Sequence, residues 1–327
     1  MLSVLLAILF VLASLAGYSA LRFHQIRRSI RPDGEMCTVD GVQLHYHFFS
    51  AENACPDTPT LVFLHGASGN AYDSQLAFLK PLKGRYPLLF LDRPGLGFSG
   101  TIPDGKNSPA RQAELIDGLL RELGIDRCIA IGHSLGASVT AALGLRASDR
   151  ICGLAFLAPA THPWPGGVAW YNHVAAAPVI GWLFCRILTL PVAEYLAPRS
   201  IRHVFHPEPQ PENYNQATRL PLLFLPDAFR SNATDIARLK PHVIAQSKDY
   251  GDLEQPTVIL TGTEDTVVWP SIHSEGLLRD LPNAELVVLE GAGHMPHHTR
   301  TEAIVEALDQ LVLRVGKASV LDCRSSA

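Results

Sequence analysis

No charged side chain occurs between Leu2 and Leu21, and no Lys or Arg precedes that run. A secretory signal normally opens with positive charge, so its lack argues against cleavage, although Gly17-Tyr18-Ser19 keeps a processed, exported form as the alternative. About 20 uncharged residues suffice to cross a hydrocarbon core of roughly 30 Å. The segment 1–21 is therefore expected to be a membrane anchor or signal, followed by a basic linker over 22–35. Arg22, Arg27, Arg28 and Arg31 all follow the apolar run, which places the body of the protein on the cytoplasmic face. Paired cysteine spacing is also missing: Cys37, Cys55, Cys128, Cys152, Cys185 and Cys323 form no disulfide framework, and Cys128 and Cys152 fall in expected buried strands. No basic stripe interleaved with aromatics runs through the body, and 27 basic against 31 acidic residues leave a net charge of −4, which disfavours nucleic acid as a partner. No histidine pair stands at helical metal-ligand spacing with a carboxylate, so neither a metal ion nor a cofactor is expected.

What is present is a large apolar content, 47% of 327 residues, enough for one α/β domain with an insertion. Met36 to Asp40 and Val42 to Phe48 are strand-like and meet at Asp40-Gly41, a hairpin signal that makes them an antiparallel edge. Strands at Thr60 to Leu64, Leu88 to Asp92, Cys128 to Ile131, Ile151 to Leu157, Thr257 to Thr261 and Glu285 to Leu289 then alternate with helical stretches such as Ser108 to Leu123 and Thr301 to Val315. This pattern predicts an α/β fold with a mostly parallel eight-stranded sheet covered on both faces, and function at the carboxyl ends of its strands.

Ser134 stands in Gly132-His133-Ser134-Leu135-Gly136, after the apolar run Cys128 to Ile131 and before a helix-compatible stretch from Ala137 to Arg146. A serine lifted out of a strained strand-to-helix turn brings backbone too close for side chains two positions away, which the two glycines satisfy. A serine hydroxyl needs a histidine to take its proton and a carboxylate to hold that histidine. Asp265, in the polar loop after the strand from Thr257, is the candidate carboxylate, with Glu264 as its competitor. His294, in Gly291-Ala292-Gly293-His294-Met295-Pro296, is the candidate base. No acid follows the strand from Ile151, which ends in Ala158-Pro159-Ala160. An oxyanion site needs backbone N–H donors, and Leu135 and Ala67 are the candidates, Ala67 lying in His65-Gly66-Ala67-Ser68-Gly69-Asn70. His65 and His133 are expected to orient loops, and His297 and His298 to be surface neighbours of the base.

These motifs, with Asp92-Arg93-Pro94-Gly95-Leu96-Gly97-Phe98-Ser99 between them, resemble in order and spacing the α/β-hydrolase fold family over roughly residues 36–315. The resemblance implies a hydrolase core over 36–159 and 249–315 and a helical cap over 160–248, with a flexible tail at 316–327. Within that insertion, Ala160-Thr161-His162-Pro163-Trp164-Pro165-Gly166-Gly167 is similar to a membrane-anchored bacterial-type subgroup. The insertion is rich in aromatics (Trp164, Trp170, Tyr171, Trp182, Phe184, Tyr195, Phe205, Phe224), which as a set suggest a small apolar substrate. Ala175 to Leu190 is apolar, but Pro178, Arg186 and Pro191 interrupt it, so a place near the bilayer surface is expected instead of a second span. The expected activity is that of a serine esterase or lipase-like enzyme acting on an apolar carboxylic ester through an acyl-enzyme on Ser134. Carbon–carbon bond hydrolysis, acyl transfer and cofactor-free haloperoxidation use the same triad, and a non-catalytic membrane-tethered binding protein is the alternative of another class.

Overall fold

The computed structural model of the protein describes residues 1–52, 55, 57–103 and 107–325. Eight strands form one sheet: β1 (Glu35–Val39), β2 (Val42–Phe49), β3 (Thr60–Leu64), β4 (Leu88–Leu91), β5 (Cys128–His133), β6 (Ile151–Leu157), β7 (Thr257–Gly262) and β8 (Ala284–Leu289), in the spatial order β1-β2-β4-β3-β5-β6-β7-β8. Only β1 and β2 run antiparallel to their neighbours. Asp40 and Gly41 both take positive φ, 47° and 76°, the left-handed pair that a two-residue hairpin turn requires between Val39 and Val42. From β3 to β8 every pairing is parallel. The carboxyl ends of β3, β4, β5, β7 and β8 therefore open on the same edge of the sheet.

The central strands are buried along their whole length, as expected of strands covered on both faces. On one face Leu64, Leu91, Ala130 and Phe156 pack under α3 (Pro109–Glu122) and α4 (Leu135–Arg146). On the other, Phe63 lies between Phe90 and Phe78, with ring centroids 4.6 and 5.0 Å away, beneath α2 (Ala71–Leu82) and the last helix. Each such side chain taken out of water contributes about 1.5–3 kcal/mol before entropy is counted. Asn70 caps α2 and Ser108 caps α3 through side-chain oxygens, which fixes where both helices begin.

Between β6 and β7 the chain leaves the sheet and builds α5 (Trp170–Ala176), α6 (Pro178–Ile187), α7 (Thr189–Phe205), the short α8 (Tyr214–Ala217) and α9 (Pro226–Gln246). After β7 come α10 (Pro270–Asp280), the four-residue α11 (Pro296–Thr299) and α12 (Thr301–Ser325). Two features depart from the sequence-based expectation. The first helix, α1 (Leu2–Ser29), runs unbroken through most of the segment read as a linker. Residues 22–29 hold no Gly or Pro, and Arg27 and Arg28 sit favourably in the last turn, where the helix dipole is negative. Likewise α12 continues to Ser325 where a flexible tail was expected from Gly316; that stretch holds no proline to stop the helix, and residues 326–327 lie outside the described residues.

Candidate active site

Ser134 sits at the first turn beyond β5 with φ 51° and ψ −120°, a conformation that costs a non-glycine residue about 1–3 kcal/mol and persists only when its surroundings impose it. Two close approaches impose it here. A Cβ on Gly136 would lie 2.3 Å from the carbonyl oxygen of Leu64, and one on Gly132 would lie 2.7 Å from Ala137 Cα. The Ser134 N–H donates to Leu157 O and its carbonyl accepts from Ala160 N–H, each at 3.0 Å, so β6 clamps the turn from the far side.

The three expected side chains meet although 29 and 160 positions separate His294 from its two partners. Ser134 Oγ lies 3.0 Å from His294 Nε2, placed to donate its proton there. His294 Nδ1–H in turn donates to Asp265 Oδ2 at 2.8 Å. Asp265 Oδ1 accepts the backbone N–H groups of Val267 and Val268, each at 2.9 Å, which leaves Oδ2 aimed at the histidine. All three residues are buried, and such bonds are stronger where water is excluded. Glu264 is exposed and its side chain stays apart from this chain of bonds.

The loop after β3 presses against the serine: a Cβ on Gly66 would come within 3.1 Å of Ser134 Cβ. Leu135 N–H occupies the first position of α4, where a helix offers no acceptor of its own. The β3 loop is held from behind by His65, expected to orient a loop, and by residues of α9 that sequence reasoning overlooked. His65 Nδ1–H donates to Gly66 O at 2.9 Å, and its Nε2 accepts from Arg93 N–H at 2.9 Å. Burial, aided by the Arg93 charge, lowers the His65 pKa to about 4 and keeps the ring neutral for that double role. The Arg93 guanidinium donates to His65 O at 2.8 Å and to Asp235 Oδ2 at 2.9 Å, and Asp235 belongs to α9 of the insertion. Also on α9, Asn232 accepts the Ser68 N–H at 2.7 Å and donates to Ser68 Oγ at 3.0 Å. The sequence signals for this clamp were His65 and Arg93, each inside its motif, whereas Asn232 and Asp235 gave none.

Histidines surround the base. His133 Nε2–H donates to the carbonyl oxygen of His294 at 2.9 Å, and burial holds the His133 pKa well below that of a free imidazole. His297 and His298 are not surface residues. Their side chains are buried against Asp73, to which both Nε2–H groups donate, at 3.1 and 2.9 Å, and Tyr214 OH adds a third bond at 2.7 Å. Burial opposes ionisation of Asp73, yet its two histidine partners outweigh it and hold its pKa well below the usual carboxylate range. The expectation failed because α11 folds the chain back onto α2, a contact nothing in the local pattern announces. Among the described residues, two groups have metal-compatible spacing, with ligand atoms within 4.8 Å: Asp73–His297–His298 and Asp33–His45–His47. Both carboxylates already accept bonds from protein donors, Asp33 from Tyr72 and Arg219.

The sequence profile of a family described as "Alpha/beta hydrolase family" matches residues 61–307. The chain is 25% identical to the sn-1-specific diacylglycerol lipase ABHD11 of Mus musculus over 256 residues, 76% of this chain and 80% of that one. It is 30% identical over 125 residues to the dihydrolipoyllysine-residue acetyltransferase component of the acetoin cleaving system of Cupriavidus necator, and there it spans only about a third of the relative's length, 32%. Among solved structures, a thermophilic esterase from Thermogutta terrifontis superposes with a TM-score of 0.65 at 21% identity, over 86% of this chain and 97% of that one.

Proposed function

The chain belongs to the alpha/beta hydrolase family, and from that premise we propose that it is a serine hydrolase cleaving an apolar carboxylic ester through an acyl-enzyme on Ser134. The observation that carries this reading is the unbroken line Asp265–His294–Ser134, at 2.8 and 3.0 Å. In the proposed cycle, His294 Nε2 takes the Ser134 proton as Oγ attacks the carbonyl carbon. Asp265 stabilises the resulting imidazolium without itself accepting a proton. The N–H groups of Leu135 and Ala67 receive the oxyanion. His294 then returns the proton to the leaving alcohol, and the same steps with water as nucleophile release the acid. The non-catalytic alternative is disfavoured because a strained serine with an aligned base has no structural reason to persist.

Residues 160–248 form the proposed cap over this site, tied to the β3 loop by Asn232 and Asp235. We assign α1 to anchoring: it is long and apolar enough to cross a membrane, and its first half is exposed among the described residues. Arg22, Arg27, Arg28 and Arg31, all after the apolar run, support a catalytic body on the cytoplasmic side. A p-nitrophenyl ester series from acetyl to palmitoyl tests the reaction. Turnover that Ser134→Ala abolishes supports ester cleavage, and the chain-length optimum sizes the pocket. A folded protein with no turnover on any ester would contradict it and favour carbon–carbon hydrolysis or acyl transfer.

A further inference from the structure

We propose that the outer face of α5, α6 and α7 is seated in the surface of a phospholipid bilayer beside α1, so that the insertion is a second, non-spanning membrane contact. The inference rests on the reading of α1 as a membrane anchor and adds to it a fixed orientation of the body.

Three consecutive helices turn large apolar side chains outward. On α6, Val179 and Ile180 are 72% and 66% exposed, with Trp182 and Leu183 on the same arc, whereas Gly181 and Cys185 on the opposite arc are buried. On α7, Val192, Tyr195 and Leu196 follow the i, i+3, i+4 spacing of one helix face, with Tyr195 84% exposed, and Leu190, Ile201 and Phe205 face inward. Trp170, 70% exposed, and Tyr171 continue the surface onto α5. A contiguous apolar patch of this kind marks a protein or membrane contact, and its Trp and Tyr content suits the headgroup boundary.

Continuity with α1 decides for the membrane. The Ser19 hydroxyl donates to Ile187 O at the end of α6, and Arg22 and Tyr18 both bond Glu194 on α7, at 2.6 and 2.7 Å. One turn further, Ile26 is buried among Leu190, Leu222 and Phe224. The anchor thus leaves the protein at the α6–α7 junction, between the very helices that carry the exposed face. Together α6 and α7 are apolar enough for a span, but they bend by 69° at the break between them. A helix pair bent so sharply fits a structure lying in the interface, where apolar faces sink roughly 5–10 Å into the headgroup and acyl boundary.

The test uses the full chain reconstituted in phosphatidylcholine vesicles, with and without acyl chains brominated near the headgroup. The protein has four tryptophans, Trp164, Trp170, Trp182 and Trp269, and none lies in α1, so quenching reports the body and not the anchor. Brominated lipid is expected to quench the fluorescence, and Trp170→Phe/Trp182→Phe to lose most of that quenching. In Val179→Glu/Ile180→Glu, hydrolysis of an ester dissolved in the vesicle membrane is expected to fall several-fold while that of a water-soluble ester holds. Protein that floats with vesicles without being quenched overturns the contact and leaves the anchor standing. Protein that does not float overturns both. A dimer in detergent that Ile180→Glu dissociates, with no quenching in vesicles, overturns the proposal in favour of a second copy on this face.

Discussion

Asn232 on α9 and Ser68 in the β3 loop exchange two hydrogen bonds, Ser68 N–H to Asn232 Oδ1 at 2.7 Å and Asn232 Nδ2 to Ser68 Oγ at 3.0 Å. Ser68 takes φ 61°, so this pairing holds a strained residue next to the proposed oxyanion donor Ala67. Asn232→Ala is expected to lower kcat by roughly ten- to a hundredfold, as misplaced catalytic groups do, with little change in KM. A rise in KM at constant kcat would show that Asn232 serves substrate binding instead. Steady-state kinetics on one ester distinguishes the two.

The buried Arg93–Asp235 pair joins the sheet edge to the insertion. Arg93→Met leaves Asp235 buried without its partner, and breaking such a pair costs about 3–5 kcal/mol. Urea unfolding is expected to show a loss of that size. Arg93→Met/Asp235→Leu should recover part of it, because the uncompensated charge is then gone.

Acid is expected to destabilise the fold through its buried histidines. Burial lowers His65, His273 and His297 from 6.5 to about 4. Between those values the unfolded chain binds protons that the folded chain refuses, so stability present above pH 6.5 is lost progressively as pH falls towards 4. The urea midpoint should be lower at pH 5 than at pH 7, and His297→Gln should narrow the difference. An equal drop in the variant would remove His297 from this account.

Truncation separates the two halves of α1. A chain beginning at Gly17 keeps the Ser19, Arg22 and Ile26 contacts and should unfold at the same temperature as the whole protein in detergent. One beginning at Arg31 uncovers Leu190, Leu222 and Phe224 and should unfold several degrees lower. Equal melting temperatures for both would mean that α1 adds nothing to the insertion.

The sheet and its three site loops were legible in the sequence because each signal is local. Runs such as Leu61-Val62-Phe63-Leu64 mark covered strands, and the glycines around Ser134 and His294 mark turns where backbone must come close. Asp265 could be chosen over Glu264 from its place in the loop, and the two backbone bonds to its Oδ1 give the physical reason. Asn232 and Asp235 were not legible: they lie 164 and 142 positions from Ser68 and Arg93, and nothing in an amphipathic helix says which polar residues turn inward. His297 and His298 were misread because their partner, Asp73, is on a helix more than 220 residues earlier. The extent of α1 was misjudged by ending the apolar segment at Arg22, whose side chain stays on the helix and binds Glu194 of α7.

The central claim is that His294 activates Ser134 as the nucleophile, and labelling with a fluorophosphonate followed by peptide mass spectrometry tests it most directly. The account predicts one adduct per chain, carried by Ser134, absent in Ser134→Ala and strongly slowed in His294→Ala. An adduct on another serine, or equal labelling in Ser134→Ala, would contradict it.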